Sequence, residues 1–231
     1  MNNRVIILTG AGMSADSGLK TFRDADGLWE GHDVMEVASP QGFARDASLV
    51  LDFYNQRRNQ LMGALPNEGH RALAALENHF DVTIITQNVD DLHERAGSSS
   101  VLHLHGELFK VRSTGNPVDI MEWKKDLYLG DTCKSGYQLR PHIVWFGEEV
   151  PLLPRAAQLT QQADILLIIG TSMQVYPAAS LIHYASPGIP IYFVDPRPTI
   201  SPHDFDNLTI VAEKAATGVP TVVEGLIGKV T

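Results

Sequence analysis

The segment from Gly10 to Gly18 carries the clearest chemical signal in the chain. It reads Gly-Ala-Gly-Met-Ser-Ala-Asp-Ser-Gly and directly follows the apolar run Val5-Ile6-Ile7-Leu8. A Gly-x-Gly turn between a buried strand and a helix lets a ligand approach the backbone, and the free N–H groups at the helix start favour an anion such as a pyrophosphate. The spacing fits Gly-x-Gly-x-x-Ala and predicts dinucleotide binding, although a glycine-rich turn alone has low specificity.

The residues that follow depart from an ordinary dinucleotide-binding unit. Such a unit has a second strand within roughly 30 residues, ending in an acidic residue for the ribose. Residues 20–29 instead read Lys-Thr-Phe-Arg-Asp-Ala-Asp-Gly-Leu-Trp, which is polar and has no strand periodicity. We therefore expect a long loop to cover the dinucleotide.

A second polar group follows the apolar run 82–86, where Gln87, Asn88 and Asp90 stand close together. Ligands of open α/β folds bind at the carboxyl ends of strands, so these side chains are candidates for ligand contact. The alternative is a polar helix start, with Asn88 or Asp90 as the cap.

These motifs and three later blocks resemble the sirtuins, the NAD-dependent protein-lysine deacylases. The later blocks are His103-Leu104-His105-Gly106-Glu107, residues 141–148 (PHIVWFGE) and residues 170–172 (GTS). The match is to the bacterial branch that removes succinyl and acetyl groups. The resemblance implies removal of succinyl, malonyl and also acetyl groups from protein lysines, with NAD consumed to give nicotinamide and O-acyl-ADP-ribose.

The resemblance assigns the catalytic role to His105 and leaves His103 a structural one. A histidine changes protonation near neutral pH, so His105 can take a proton from a ribose hydroxyl. In the family the acyl oxygen first attacks the ribose carbon and nicotinamide departs, and the activated hydroxyl then captures the acyl group. NAD binding is assigned by the same resemblance to Gly10, Ala11, Gly12, Ser14, Ala15, Thr21, Phe22, Arg23, Trp29, Gln87, Asn88, Asp90, Gly170, Thr171, Ser172, Asp195 and Ala215.

Substrate residues are also implied. Val144 and Phe146 would line an apolar lysine tunnel, while Gly147, Glu148 and Val175 would hold the substrate backbone as an added strand. A role in core and loop structure is the alternative for these residues. Asp195 stands where relatives commonly have asparagine, and an acid there can still accept a hydrogen bond from a ribose hydroxyl.

The acyl preference depends on Tyr54 and Arg57, which lie three residues apart and share one face of a predicted helix. A guanidinium can pair with a carboxylate, and the phenol adds a donor. Sirtuins that remove succinyl, malonyl or glutaryl groups have this Tyr-x-x-Arg pair in the acyl pocket. Arg58 and Arg71 are also available, so a solvated basic helix face is the alternative.

The segment 107–140 departs from the family. Sirtuins usually build this lobe around zinc held by four cysteines, but the chain has one cysteine, Cys133, and Ser113 stands about where the first would fall. Asp119, Asp131 and His142 do not make a convincing alternative ligand set. We therefore expect no zinc, and a lobe held by the apolar side chains of Leu108, Phe109, Ile120, Trp123, Leu127 and Tyr128.

Composition limits the partners. A net charge of −9 and a pI near 5.4 argue against non-specific nucleic-acid binding, which needs a basic surface. No run of about 18 apolar residues predicts a membrane span, and residues 1–4 lead directly into a strand rather than a signal peptide. We expect a cytoplasmic protein that acts on acylated-lysine proteins, of unknown oligomeric state.

Strand-like and helical runs alternate and predict an α/β fold, a doubly wound Rossmann-like parallel sheet domain with a smaller inserted lobe. The predicted strands are 5–8, 82–86, 165–170 and 189–194, and the predicted helices 47–61, 70–79, 152–162 and 178–185. We assign residues 1–30, 70–106 and 141–231 to the Rossmann-like part, and 31–69 and 107–140 to the lobe.

Two other functions remain open. A sirtuin-like ADP-ribosyltransferase or NAD hydrolase would use the same nucleotide motifs, but the presence of His105 and of the tunnel residues argues against it. A nonenzymatic NAD-binding module is compatible with the missing zinc cysteines.

Overall fold

The computed structural model describes residues 3–19, 29, 31–201, 203–205 and 207–230. The chain divides into two units. The larger comprises Met1–Leu19, Leu65–Leu104 and Val150–Thr231, and the smaller comprises Lys20–Ala64 and His105–Glu149. None of the helices in the described ranges combines the length and the apolar character that crossing a membrane requires.

Two sheets contain the strands of the described residues. Six parallel strands form the sheet of the larger unit in the order β3-β2-β1-β7-β8-β9, and three antiparallel strands form that of the smaller unit in the order β5-β4-β6. The strands are β1 (Arg4–Thr9), β2 (Asp81–Thr86), β3 (Val101–His103), β4 (Gly106–Ser113), β5 (Ile120–Glu122), β6 (Leu139–Ile143), β7 (Ile165–Ile169), β8 (Ile191–Val194) and β9 (Leu208–Val211).

The helices divide between the units. Helices α1 to α3 belong to the smaller unit and α4 to α7 to the larger. They are α1 (Val34–Val37), α2 (Pro40–Arg45), α3 (Ala47–Gly63), α4 (Glu68–Leu76), α5 (Leu92–Ala96), α6 (Leu153–Gln161) and α7 (Ala215–Ile227), with short 3₁₀ segments at Ala11–Met13, Ala15–Ser17 and Ala178–Tyr184.

The large sheet is apolar on both faces because helices cover both. Alternate residues of a strand point to opposite faces. Accordingly Val5 and Ile7 pack with residues of α4 and α7, whereas Ile6 and Leu8 pack with residues of α6 and the segment Ala178–Tyr184. The central strands therefore read as continuous aliphatic runs, as expected for a buried parallel sheet.

In the smaller unit, helix α3 packs against the antiparallel sheet. Leu51 of α3 joins a buried cluster with Val111, Leu127 and Leu139. The Asn55 side chain donates to the Leu127 carbonyl at 3.0 Å and accepts from the Leu127 N–H at 2.8 Å. The loop after β5 is thereby fixed to the helix.

The predicted α/β class with a parallel sheet is confirmed, and the four predicted strands are present. The run 178–185 forms a 3₁₀ rather than an α-helix. The two units also differ from the predicted division, since residues 141–149 group with the smaller unit because β6 pairs with β4.

Candidate active site

The glycine loop lies where the strand order of the large sheet reverses, between β1 and β7. Dinucleotides bind at this point in doubly wound sheets. Gly10 donates its N–H to Ile169 at 3.0 Å, and Gly12 donates to the carbonyl of Gly170 at 2.8 Å. A Cβ at Gly10 would lie 2.8 Å from the Gly170 oxygen, so the two loops leave no room for side chains between them.

A buried polar network joins the glycine loop to the loop after β2. Ser14 donates its hydroxyl to Asp90 at 2.9 Å, and Asn88 donates its amide to the Gly10 carbonyl at 3.0 Å and to Ser14 Oγ at 3.2 Å. Burial raises the pKa of the Asp90 carboxyl, although the hydrogen bonds from Ser14 and from the Leu92 N–H oppose it. The predicted residues are thus brought together, in a buried setting that disfavours the charge on Asp90.

A layer of buried groups that the sequence analysis missed lies beneath this network. Thr9 donates to Thr86 at 2.8 Å, and Nε2 of His93 lies 3.2 Å from the Thr9 hydroxyl. His70 lies against His93, with ring centroids 4.8 Å apart. One feature of the sequence could have indicated the contact between Thr9 and Thr86. Each residue stands at the end of a strand, and neighbouring parallel strands end at the same edge of a sheet.

The remaining predicted site residues of the larger unit, for the nucleotide and for the substrate backbone, lie in several separate segments. Gln87 donates to Thr171 Oγ1 at 3.4 Å, which joins the loops after β2 and β7. The carboxylate of Asp195 accepts the N–H of Arg197 at 2.8 Å, and burial raises its pKa. Ala11 and Ala15 lie in the 3₁₀ turns of the glycine loop, Ser172 is exposed, Val175 is half-buried, and Ala215 is the buried first residue of α7.

In the smaller unit, His105 directly precedes β4 and is half-buried. Its carbonyl accepts the N–H of Val144 at 2.9 Å. Gly106 has φ +82°, and a Cβ there would overlap the carbonyl of His142. Only glycine fits this turn, so Gly106 fixes the backbone that presents His105.

His103, by contrast, ends β3 of the larger unit and is 8% exposed. Its Nε2 lies 2.7 Å from Glu94 and its Nδ1 lies 3.2 Å from the Asn88 carbonyl. These contacts fit the structural role expected for it.

The block 144–148 alternates between surface and interior. Val144 is half-buried, Phe146 and Gly147 are exposed, and Trp145 is 2% exposed. Glu148 accepts hydrogen bonds from Arg140 at 2.7 Å and Arg112 at 3.0 Å. Burial favours the protonated carboxyl, but these contacts and the Trp145 N–H outweigh it and lower the pKa of Glu148. The side chain of Glu148 is therefore held within the unit, and only its backbone is suited to the predicted strand addition.

Tyr54 and Arg57 both lie on the buried part of α3, and the guanidinium of Arg57 lies 5.1 Å from the ring centroid of Trp29. Arg58 is fully buried and donates to the Leu108 carbonyl at 3.2 Å and to Asn55 at 2.7 Å. Arg71 lies on α4 of the larger unit, is exposed and pairs with Glu68 at 2.8 Å. The two alternative arginines therefore have other partners.

Thr21, Phe22 and Arg23 lie outside the described residues. Trp29 is described and forms a short antiparallel bridge with His32.

Around Ser113, where the first zinc cysteine of the family was expected to fall, hydroxyl and thiol groups are hydrogen-bonded to each other. Ser113 Oγ accepts the N–H groups of Gly115 at 3.1 Å and Asn116 at 3.2 Å, and the Cys133 thiol donates to it at 3.3 Å. Within the described ranges, no three His, Cys, Asp or Glu side chains are grouped to hold a metal ion.

The sequence as a whole matches known proteins. The model of the Sir2 family matches residues 10–177. The chain belongs to the Sir2 family. A relative from Helicobacter pylori named NAD-dependent protein deacylase is 58% identical over 223 residues, covering 96% of this chain and 97% of the relative. A relative of the same name from Bacteroides thetaiotaomicron is 51% identical, covering 96% of this chain and 97% of the relative.

Solved structures of the family have the same fold. A crystal structure described as a Sir2 homologue–NAD complex has a TM-score of 0.89 and 38% identity, covering all of this chain and 91% of that one. The predicted sirtuin identity is confirmed.

Proposed function

We propose that this Sir2-family protein is an NAD-dependent protein-lysine deacylase. The observation that carries the proposal is the 58% identity with a relative of that name over nearly the full length of both chains. Nicotinamide and an O-acyl-ADP-ribose are the expected products, and acylated lysines of proteins are the substrates.

The larger unit offers a fitting site for NAD. Gly10, Gly12 and Gly170 pack the two loops against each other at the point where the strand order reverses, which is where a dinucleotide binds in doubly wound sheets. Asn88 and Asp90 add an amide and a carboxylate suited to the carboxamide and the ribose hydroxyls. When bound, NAD supplies an electrophilic ribose carbon with a good leaving group.

His105 is the general base of the proposed reaction. Its ring accepts a proton from a ribose hydroxyl. The turn at Gly106 and the bond from Val144 hold the backbone of His105, which supports a fixed position for the ring. The half-buried Val144, which donates its N–H to this backbone, and the exposed Phe146 supply apolar area for the lysine stem.

For the acyl group we infer a pocket formed by Tyr54 and Arg57 that accepts a carboxylate, as in succinyl or malonyl lysine. Both side chains belong to α3 of the smaller unit, and the charge on Arg57 affects the Tyr54 hydroxyl. Acetyl-lysine lacks the carboxylate and would bind without that pair.

A panel assay tests the function. The full-length protein is incubated with NAD and one peptide carrying acetyl, succinyl, malonyl or glutaryl lysine, and mass spectrometry follows each O-acyl-ADP-ribose. We expect one O-acyl-ADP-ribose to form for each nicotinamide released. Nicotinamide release without any acyl product would indicate an NAD hydrolase, and ADP-ribose on protein would indicate a transferase; either result contradicts the proposal.

A further inference from the structure

The hydroxyl of Tyr54 has an unusual hydrogen-bond arrangement. The indole Nε1–H of Trp145 donates to the Tyr54 oxygen at 2.9 Å. An indole N–H is a donor only, so the tyrosine oxygen is the acceptor in this contact and its own proton points elsewhere. Within the described part of the chain, no acceptor bonds to that proton, although Tyr54 is 1% exposed.

A buried O–H without an acceptor is uncommon in proteins, because losing the bond to water costs free energy. Burial raises the pKa of Tyr54 well above its ordinary value, so the group stays a protonated donor at physiological pH. A ligand that meets this hydroxyl must therefore bring an acceptor, and a carboxylate is an acceptor only.

Trp145 is itself held on several sides. Its backbone N–H donates to Glu148 Oε2 at 2.8 Å, and the Arg140 guanidinium stacks 3.3 Å from its ring centroid. Glu148 in turn accepts bonds from Arg140 and Arg112. The side chains of these three charged residues are 10–21% exposed. The indole thus has little freedom to leave Tyr54.

We propose that Trp145 is a positioning residue for acyl specificity, which fixes the Tyr54 hydroxyl as a donor toward a carboxylate on the acyl group. Trp145 need not contact the substrate, since it acts through Tyr54. The inference rests on the proposed acyl pocket of Tyr54 and Arg57.

The first test compares Trp145→Phe with Trp123→Phe. Trp123 is the matched control, because it lies in the same unit and its indole N–H donates instead to the Asp126 carbonyl at 3.2 Å. We expect Trp145→Phe to lower the ratio of kcat/KM for succinyl over acetyl peptide about 3- to 10-fold, the range of one neutral hydrogen bond. Trp123→Phe should leave the ratio unchanged.

A double-mutant cycle separates positioning from general damage. In the Tyr54→Phe background the indole has no hydroxyl to orient, so adding Trp145→Phe should not lower the ratio further. A further fall there would contradict action through Tyr54. If Tyr54→Phe alone leaves the ratio unchanged, the acyl pocket and this inference both fail. If it lowers the ratio while folded Trp145→Phe does not, only the inference fails.

A second measurement needs no substitution at Trp145. The chain has three tryptophans, so an ¹⁵N-indole NMR spectrum has three signals, and Trp29→Phe and Trp123→Phe assign that of Trp145 by elimination. When Tyr54 donates to a carboxylate its oxygen becomes a better acceptor, which strengthens the bond from the indole. We expect a downfield shift of the Trp145 indole proton with succinyl-lysine peptide. No shift, or an equal shift with acetyl-lysine peptide, would overturn the inference.

Discussion

Gly12 and Gly170 are in direct backbone contact. The Gly12 N–H donates to the Gly170 carbonyl at 2.8 Å, and a Cβ on Gly12 would lie 2.7 Å from Gly170 Cα. The glycine loop and the loop after β7, which are far apart in the sequence, therefore form one structural element. The absence of side chains there allows the two loops to pack closely.

Gly170→Ala should destabilise the protein and abolish NAD binding. Gly170 has φ +61° and lies against Gly12 and Met13, so the substitution combines backbone strain of about 1–3 kcal/mol with a steric overlap. Chemical denaturation and calorimetric titration of NAD measure the two effects. Gly225→Ala is the control, since Gly225 lies in α7 with open space around it, and it should stabilise by about 0.5–1 kcal/mol. Equal stability of both variants would contradict the close packing of the two loops around Gly12 and Gly170.

His105→Ala should reduce deacylation about 10²- to 10⁴-fold, the usual contribution of a general base. NAD affinity should stay within several-fold, because the base is needed after the nucleotide has bound. Rates are followed by O-acyl-ADP-ribose formation and NAD binding by titration calorimetry. Turnover near that of the wild type would exclude the mechanism proposed here.

Arg57→Met should lose desuccinylation far more than deacetylation. A charged hydrogen bond is worth about 1.5–3 kcal/mol, so the succinyl-to-acetyl ratio of kcat/KM should fall roughly 10- to 150-fold. Tyr54→Phe should act in the same direction but more weakly, since it removes no charge. Arg71→Met, at an exposed arginine of α4, is the control. Equal loss of both activities in Arg57→Met would indicate a structural role only.

The stability of the smaller unit should depend on Ser113 and not on a bound metal ion. Purified protein should contain well under one equivalent of zinc, and a chelator should leave melting temperature and activity unchanged. Ser113→Ala removes the acceptor of two N–H groups and a thiol in a buried position and should destabilise by about 1–3 kcal/mol. Ser135→Ala, at an exposed serine nearby, serves as control. Stoichiometric zinc by elemental analysis would reveal a missed ligand set.

Stability should fall as the pH drops from about 6.5 to about 4. Burial lowers the pKa of His70 to about 4, with a smaller effect from Arg71. Between that value and the unfolded value near 6.5, the unfolded chain binds a proton that the folded chain does not, so acid favours unfolding. The loss for His70 reaches at most about 3 kcal/mol.

Denaturant unfolding at several pH values measures this dependence. His70→Gln should flatten the curve. Part of the pH dependence that remains in His70→Gln should come from His93, because burial also lowers the pKa of His93. A pH-independent wild type in this window would contradict the assignment.

The sequence predicted the elements whose residues form continuous apolar runs. Strands β1 and β7 are of this kind, because both faces of the parallel sheet are covered. Helix α7 was not predicted, since Gly218, Pro220 and Gly225 interrupt its pattern. The strands of the small sheet mix polar and apolar residues, and their pairing becomes visible only in three dimensions.

The candidate site shows the same difference between local patterns, which the sequence reveals, and long-range contacts, which it does not. Local spacing indicated Tyr54 and Arg57, which lie one helical turn apart. The bond between Trp145 and Tyr54 joins residues 91 positions apart, and no periodicity encodes such a contact. The role of Arg112 was hidden for the same reason, because its partner Glu148 lies 36 positions later in the chain.

The Cys133 thiol, which donates to Ser113, can report local opening of the smaller unit. Cys133 is the single cysteine of the chain and is 6% exposed. Thiol reagents react with the exposed thiolate, so modification of the folded protein requires local opening around β4 and β6. The labelling rate of the unmodified sequence therefore measures how often the surroundings of Cys133 open.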